Sequence, residues 1–381
     1  MSEFKVQVHR IKIEEHPNAD ALELAVVGGY RSCVQKGAFR DGQLVVYIPE
    51  QAIVPDWLIA ELGLEGKLAG KSQNRVKAIK LRGILSQGLV WDGVDPERTQ
   101  FEGLVHSITR NDIELRVKEG DDVTSFLGIE KYEPQIPTNM DGKVHSMFGK
   151  TLRYDIENWK NYPEVLKDGE RVVFTEKLHG TWSCFGIYLT DRIVTSKGFS
   201  TKGLAFTLGE ENENNLYVKM HYAVGKHLVD VIAQLTHSDI VYVLGEIFGR
   251  GVQDLHYGQT EPQYRVFDIA IGNYNGGVTD VQFIEPHNMQ TLLDNVDKFW
   301  VEKTGEPLGV QTVPFLYDGP FSVEVMEEYT DGKDTISNSN VREGIVMRPV
   351  TERWDNELGR VILKSVSGDY LTRKGDATEY N

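Results

Sequence analysis

The chain has 381 residues, 40% of them hydrophobic and 26% charged, which is too long for one comfortable core and predicts a two-domain globular protein. A net charge of −16 excludes a surface coated for nucleic-acid binding, because phosphate contacts draw on Lys and Arg, so any such surface must be local. No run of about 18 apolar residues occurs and the first twelve alternate charged with apolar, so no membrane partner is expected and the chain is assigned to the cytoplasm.

Short β-like runs at 44–48, 76–81, 84–91 and 113–117, broken by Gly and Asp, predict a small barrel over residues 1–130. Within it Lys67, Lys71, Arg75, Lys77, Lys80 and Arg82 follow one another with no acidic residue between them and with apolar residues interleaved. That run suits nucleic-acid phosphates, and equally a solvated strand face. The Pro-rich polar stretch 131–150 can continue neither a helix nor a central strand and is read as the linker.

From residue 151 to 381, strands at 171–178, 181–189, 240–245, 264–271, 343–349 and 360–367 alternate with helical patterns, which predicts an α+β domain built on sheet. Leu216, Met220, Val224, Leu228, Val231 and Leu235 fall on one helical face and are expected to pack in the core. The polar run 210–215 reads as a loop, either one that moves over a ligand or one without function. His221, His227 and His256 lack companions at zinc-ligand spacing. The two cysteines, Cys33 and Cys184, lie far apart in apolar segments and are expected to be buried thiols.

The chemistry concentrates at Thr175-Glu176-Lys177-Leu178-His179-Gly180-Thr181-Trp182, where a lysine stands between two strands at a turn. A lysine amine is a nucleophile once burial or neighbouring positive charge lowers its pKa from about 10.4, and Gly180 lets backbone approach a ligand closely. Alone, Lys-X-X-Gly is commonplace. Downstream, however, come Ser196-Lys197-Gly198, Gly245-Glu246-Ile247-Phe248-Gly249, Phe267-Asp268, Glu343-Gly344 and Leu363-Lys364-Ser365, each setting polar groups on an apolar strand. Lone charges on poorly solvated strands are costly, so five such strands imply convergence on a shared charged ligand.

In order and wording these motifs resemble the covalent nucleotidyltransferases, the polynucleotide ligases and mRNA capping enzymes, over about 175–367. His179, standing where DNA ligases and capping enzymes usually have Asp, together with Gly251-Val252-Gln253-Asp254-Leu255, is similar to the RNA ligase branch. The segments His16-Pro17-Asn18-Ala19-Asp20-Ala21-Leu22 and Ile79-Lys80-Leu81-Arg82-Gly83 resemble tRNA-binding OB modules. An OB-like β-barrel followed by an adenylyltransferase domain of antiparallel sheets with flanking helices resembles the Deinococcus-type ATP-dependent RNA ligases. The seventeen residues after Lys364 leave no room for the C-terminal OB domain of DNA ligases and capping enzymes.

The resemblance implies that Lys177 attacks the α-phosphorus of ATP and carries AMP as a phosphoramidate, which passes to a 5′-phosphate and is displaced by a 3′-OH. It implies nucleotide contacts from Glu176, Gly180, Lys197, Glu246, Asp268 and Lys364, with Phe248 or Phe267 stacked on adenine. Glu343 and Glu246 would hold Mg²⁺ or Mn²⁺, and Lys71, Arg75, Lys77, Lys80 and Arg82 would meet RNA, as ends, a nicked duplex or an RNA/DNA hybrid. A monomer is expected. Related ligases often carry Lys-X-Lys in the last motif, whereas Ile362 and Val366 flank Lys364 here, so one lysine would serve for two. The alternatives are a DNA ligase, a GTP-using capping enzyme, or a binding protein without catalysis; intact Lys177, Glu343 and Lys364 speak against the last.

Overall fold

The computed structural model describes residues 4–99, 103–275 and 278–373; the start of the N-terminal alternation, residues 1–3, lies outside them. Two compact units divide between Glu133 and Pro134.

In the first unit, the fully buried strand Leu44–Ile48 pairs on one side with Gln7–Arg10 and on the other with Leu89–Trp91. Val8, Val46, Ile48, Leu58 and Trp91 fill the core between this sheet and the short helix Asp56–Glu61. Further small sheets include Lys12–Glu15 with Leu22–Val27 and Tyr30–Gln35, and Asp95–Thr99 with Gly103–Arg110 and Ile113–Val117. Among the described residues the strands stay in separate sheets and do not close into the expected barrel.

The expected strand 76–81 is reduced to Ile79–Leu81 and the expected strand 84–91 is split, because Gly88 at φ 72° turns the chain between Ile84–Ser86 and Leu89–Trp91. The hairpin Ile79–Ser86 is clamped to the loop at 16–18. His16 Nε2 lies 3.2 Å from the Leu81 carbonyl, and the Asn18 amide donates to the Arg82 carbonyl at 3.0 Å. The two segments that resemble OB modules thus hold each other.

Of the stretch expected as linker, Glu130–Lys131 pairs with Ala52–Ile53 in the first unit, while Met140 is buried in the second and Val144–Ser146 pairs with Leu204–Phe206 there. The second unit carries two main sheets. One orders Asp191–Ser196, Thr181–Tyr188, Ile240–Phe248, Gln263–Asn275 and Val278–Phe283, these five antiparallel, with Gln311–Thr312 pairing in parallel with Gln263–Asn275. The other runs Glu157–Asn158, Leu363–Val366, Gly344–Pro349, Arg171–Lys177 and Phe315–Pro320.

Helices cover the first of these sheets, and the stripe expected at 216–235 is modified by a π turn. Leu216–Met220 is α-helical, His221–Gly225 is π, and Lys226–Thr236 is α-helical again. Beyond the π turn Leu228 and Val231 keep their expected places in the core, Val229 and Ile232 join them, and Leu235 is exposed. The run 210–215 is built into the fold: Asn212 is buried and donates to the carbonyls of Lys143 and Thr207, and Asn215 caps the helix at Leu216. Cys184 is buried as expected; Cys33 is half-buried. No helix among the described residues is long and apolar enough to cross a membrane.

Candidate active site

Lys177 ends its strand because the next residues must turn: His179 and Gly180 lead into Thr181–Tyr188, which belongs to the other sheet. A lysine at the end of one sheet therefore faces the seam where the two sheets meet. Gly180 has no substitute there. A Cβ on it would fall 2.2 Å from the Ile247 carbonyl oxygen and 2.9 Å from Glu246 Cγ. The same closeness lets the Gly180 amide hydrogen-bond to the Glu246 carboxylate.

Across the sheet, Lys177 pairs with Gly344. A Cβ on Gly344 would lie 2.1 Å from the Ser365 carbonyl, so only glycine lets the chain pass here, and the residue before it, Glu343, forms an ion pair with Lys177. The other Glu343 oxygen, Oε2, is buried with no hydrogen-bond partner. Lys364 sits on the adjoining strand opposite Val346. Burial, with Lys197 and Lys177 nearby, brings its ammonium down to about 8. Lys197 is paired with Asp155 at 3.0 Å. Burial pushes the Glu246 carboxyl up to about 8; Lys177 and Lys197 oppose that shift and Glu343 adds to it.

Lys177, Gly180, Lys197, Glu246, Glu343 and Lys364 are thus brought together. Glu176 follows the strand's alternation to a different set of partners. It is 1% exposed, and its Oε2 accepts from the Thr335 amide at 2.9 Å and hydroxyl at 2.5 Å.

Two residues expected at the ligand are engaged by the fold itself. Asp268 is fully buried between Arg348 at 3.1 Å and Arg360 at 2.5 Å, with the Tyr154 hydroxyl donating at 2.8 Å. Burial alone would raise its carboxyl, but the two guanidiniums hold it below the usual range, and both oxygens are occupied by structural partners. Phe248 is 2% exposed and packs edge-on against Tyr257 in the core. Phe267 is half-buried. It is the extra residue of a β-bulge, since Asp268 pairs with Leu244 and Val266 with Gly245, and bulges re-aim side chains.

Other residues of the site had no role assigned from sequence. The Lys177 turn is clamped by the segment 253–257. Gln253 donates to the Gly180 carbonyl, and the Tyr257 hydroxyl accepts from the His179 amide at 2.6 Å. His179 is buried, with Nε2 2.7 Å from Asp254 and Nδ1 2.8 Å from the Tyr370 hydroxyl. Arg373 closes the cluster on Asp254 at 3.0 Å. His179 and the Gln253-Asp254 pair stood out as motif residues, but no spacing rule links them. Asp155 and Thr335 left no signal at all.

Among the described residues no three His, Cys, Asp or Glu side chains form a metal cluster. The acidic groups still fit a hard divalent cation, which commonly rests on one or two carboxylates and completes its shell with phosphate and water. Glu343 has a buried oxygen open, and Glu246 lies within its field.

In the first unit, the cationic run does not form one strand face. Arg75 lies half-buried with its guanidinium over the Tyr132 ring at 4.3 Å, and Lys67 donates to the Gly63 carbonyl at 2.7 Å. Lys71 is exposed, Lys77 is half-buried, and Lys80 and Arg82 stand exposed on the hairpin.

The RNA ligase family model matches residues 170–366, more than half of the chain, and an OB-fold domain model matches residues 5–93. No curated protein matches. The fold is similar to solved structures of the RNA ligase of Naegleria gruberi. One, described with PPi, is 23% identical with a TM-score of 0.71, covering 97% of this chain and 98% of that one. A variant with ATP and Mn is 22% identical with a TM-score of 0.71 and the same coverage. An apo variant is 23% identical with a TM-score of 0.70, covering 97% of each chain. The expected architecture therefore holds as an OB-fold domain followed by a ligase domain, without a closed barrel.

Proposed function

The chain belongs to the RNA ligase family, and on that footing we propose that it is an ATP-dependent ligase of the Deinococcus type, joining a 3′-OH to a 5′-phosphate through lysyl-AMP on Lys177. The observation that carries the proposal is the ion pair of Lys177 with Glu343 in a half-buried cluster that also holds Lys197, Glu246 and Lys364. A motif lysine on an open surface would have no such company.

Lys177 Nζ attacks the α-phosphorus of ATP; the N–P bond forms and pyrophosphate leaves. The amine must be neutral to attack, so its proton leaves first. Lys364 and Lys197 disfavour a further positive charge and neutralise the oxygens of the α-phosphate as charge builds there. Glu343, with Glu246 as a second carboxylate, would hold Mg²⁺ or Mn²⁺, which when bound would supply positive charge to the phosphate oxygens. Phe267 offers the ring for adenine, and Gly180 admits the phosphates. An oxygen of the RNA 5′-phosphate then displaces Lys177 from AMP, and a 3′-OH displaces AMP to form the phosphodiester.

The proposal gives the first unit, through Lys71, Lys77, Lys80 and Arg82, the binding of RNA ends, nicked duplex or RNA/DNA hybrid. Arg75, engaged on Tyr132, is left to shape that surface. One chain carries the whole cluster, in keeping with a monomer, and its two free thiols suit the reducing cytoplasm.

The test is incubation with α-labelled ATP or GTP and a divalent metal, followed by denaturing electrophoresis and acid. An acid-labile adduct with ATP alone, absent in Lys177→Ala and Lys177→Arg, and sealing of a nicked RNA duplex are expected. An adduct with GTP alone would make the chain a capping-type transferase. Adduct persisting in Lys177→Ala would move the nucleophile elsewhere.

A further inference from the structure

Glu176 is buried beside the nucleophile and neither pairs with Lys177 nor belongs to its cluster. Its Oε2 is held by two donors from one residue, the amide and the hydroxyl of Thr335, and its Oε1 is buried with no hydrogen-bond partner. Its own amide donates to the Pro314 carbonyl at 2.8 Å. Pro314 and Thr335 both line an open cleft of 470 Å³, with Arg265, Gln290, Gln311 and Ile336 among its other walls.

Thr335 is exposed, yet its position is set from inside. The preceding residue, Asp334, is 1% exposed and gathers the loop around its carboxylate. It accepts from the Ser337 amide at 2.5 Å, the Ser339 amide at 3.1 Å and the Asn340 amide at 2.7 Å. The loop ends at Glu343, so one compact turn carries both the partner of Lys177 and the clamp on Glu176.

We propose that Thr335 is the specificity-positioning residue of the nucleotide site: by occupying Oε2 of Glu176 it leaves Oε1 as a single fixed acceptor, which takes a purine bearing a 6-amino group and rejects one bearing a 6-oxo group. This rests on the reading of the chain as a nucleotide-consuming ligase with Glu176 at the base. The chemistry follows from what a carboxylate can do. Ionised, it only accepts, so it matches an amino hydrogen and repels a keto oxygen; protonated, it donates and the preference weakens or inverts. Burial pushes the Glu176 carboxyl up, and the two Thr335 hydrogen bonds pull against that rise. Without the hydroxyl, the buried carboxyl loses a donor that favours its charged form.

The experiment is equilibrium binding of ATP and of inosine triphosphate, which differ at position 6, amino against oxo, and with it at N1, an acceptor in adenine and an N–H in hypoxanthine, to wild type, Thr335→Val and Thr335→Ser, with lysyl-nucleotide formation followed in parallel. Wild type is expected to prefer ATP. Thr335→Val should weaken ATP binding and shrink the ATP-to-inosine ratio, each by on the order of tenfold, the scale of one charge-assisted hydrogen bond. The saturated rate of adduct formation should change far less than the KM, and Thr335→Ser should restore the ratio. Thr335→Ala repeats the test should the valine variant fold poorly.

An unchanged ratio in Thr335→Val and Thr335→Ala, or equal binding of both nucleotides by wild type, would overturn the inference while an ATP adduct left the ligase reading standing. No adduct, with a ratio that still collapses in Thr335→Val, would overturn the ligase reading and keep the inference. Binding of neither nucleotide would overturn both.

Discussion

Lys177 and Glu343, 166 residues apart, form an ion pair because Gly344 lies opposite Lys177 in the sheet. Glu343 is nearly buried, so its charge is compensated chiefly by that lysine. Glu343→Gln keeps the shape and removes the charge. It is expected to cut lysyl-AMP formation by about 10²-fold or more, the scale seen when a preorganised electrostatic group is lost. Single-turnover labelling with ATP measures it.

Gly180→Ala places a methyl against the Ile247 carbonyl and Glu246. Overpacking of this kind costs about 1–3 kcal/mol, and here the backbone that must move carries Glu246. A lower Tm with loss of adduct formation is expected; Gly198→Ala, where a Cβ meets nothing within 4 Å, is the control for stability.

Lys364 makes the site pH-dependent. Its folded-state pKa of about 8 lies below the ordinary 10.5, so the folded protein binds the proton less tightly than the unfolded chain. The destabilisation is complete below pH 8 and is relieved as pH rises from about 8 to 10.5. Lys364→Met should therefore have a Tm above wild type at pH 7, with the difference shrinking toward pH 10, while adduct formation falls steeply. Melting curves across that range test the sign.

Asp268→Asn separates a structural role from a ligand-binding one. Breaking the buried network with Arg348 and Arg360 leaves uncompensated charge, at a cost of about 3–5 kcal/mol. Urea unfolding should show that loss. A variant of unchanged stability that failed to bind ATP would return Asp268 to the nucleotide site.

Lys80→Glu with Arg82→Glu reverses two exposed charges on the hairpin of the first unit. RNA binding should weaken and the slope of log K against log salt should become shallower, by roughly 0.7–0.9 for each RNA phosphate that the variant leaves unneutralised. Lysyl-AMP formation should stay at the wild-type level, because the chemistry is assigned to the second unit.

The sequence by itself determined which charged residues stand out. Lys177, Glu246, Glu343 and Lys364 stand out because charged residues are costly on apolar strands, and that cost is legible in one dimension. The main strands of the second unit were legible for the same reason, since alternation of apolar residues repeats every two positions.

What only the tertiary structure decided is which polar residue faces which. Asp268 and Glu246 look alike in sequence, each a lone acid on an apolar strand. Two arginines, 80 and 92 residues away, saturate the first, and a glycine turn with two lysines, Lys177 and Lys197, surrounds the second. Phe248 and Phe267 likewise differ by a bulge that pairing between strands creates. Thr335 reaches Glu176 across 159 residues and left no trace in the local pattern. Local patterning records the cost of placing a charge in an apolar element, whereas its compensation comes from groups brought near by the fold, and that pairing is set by three-dimensional packing alone.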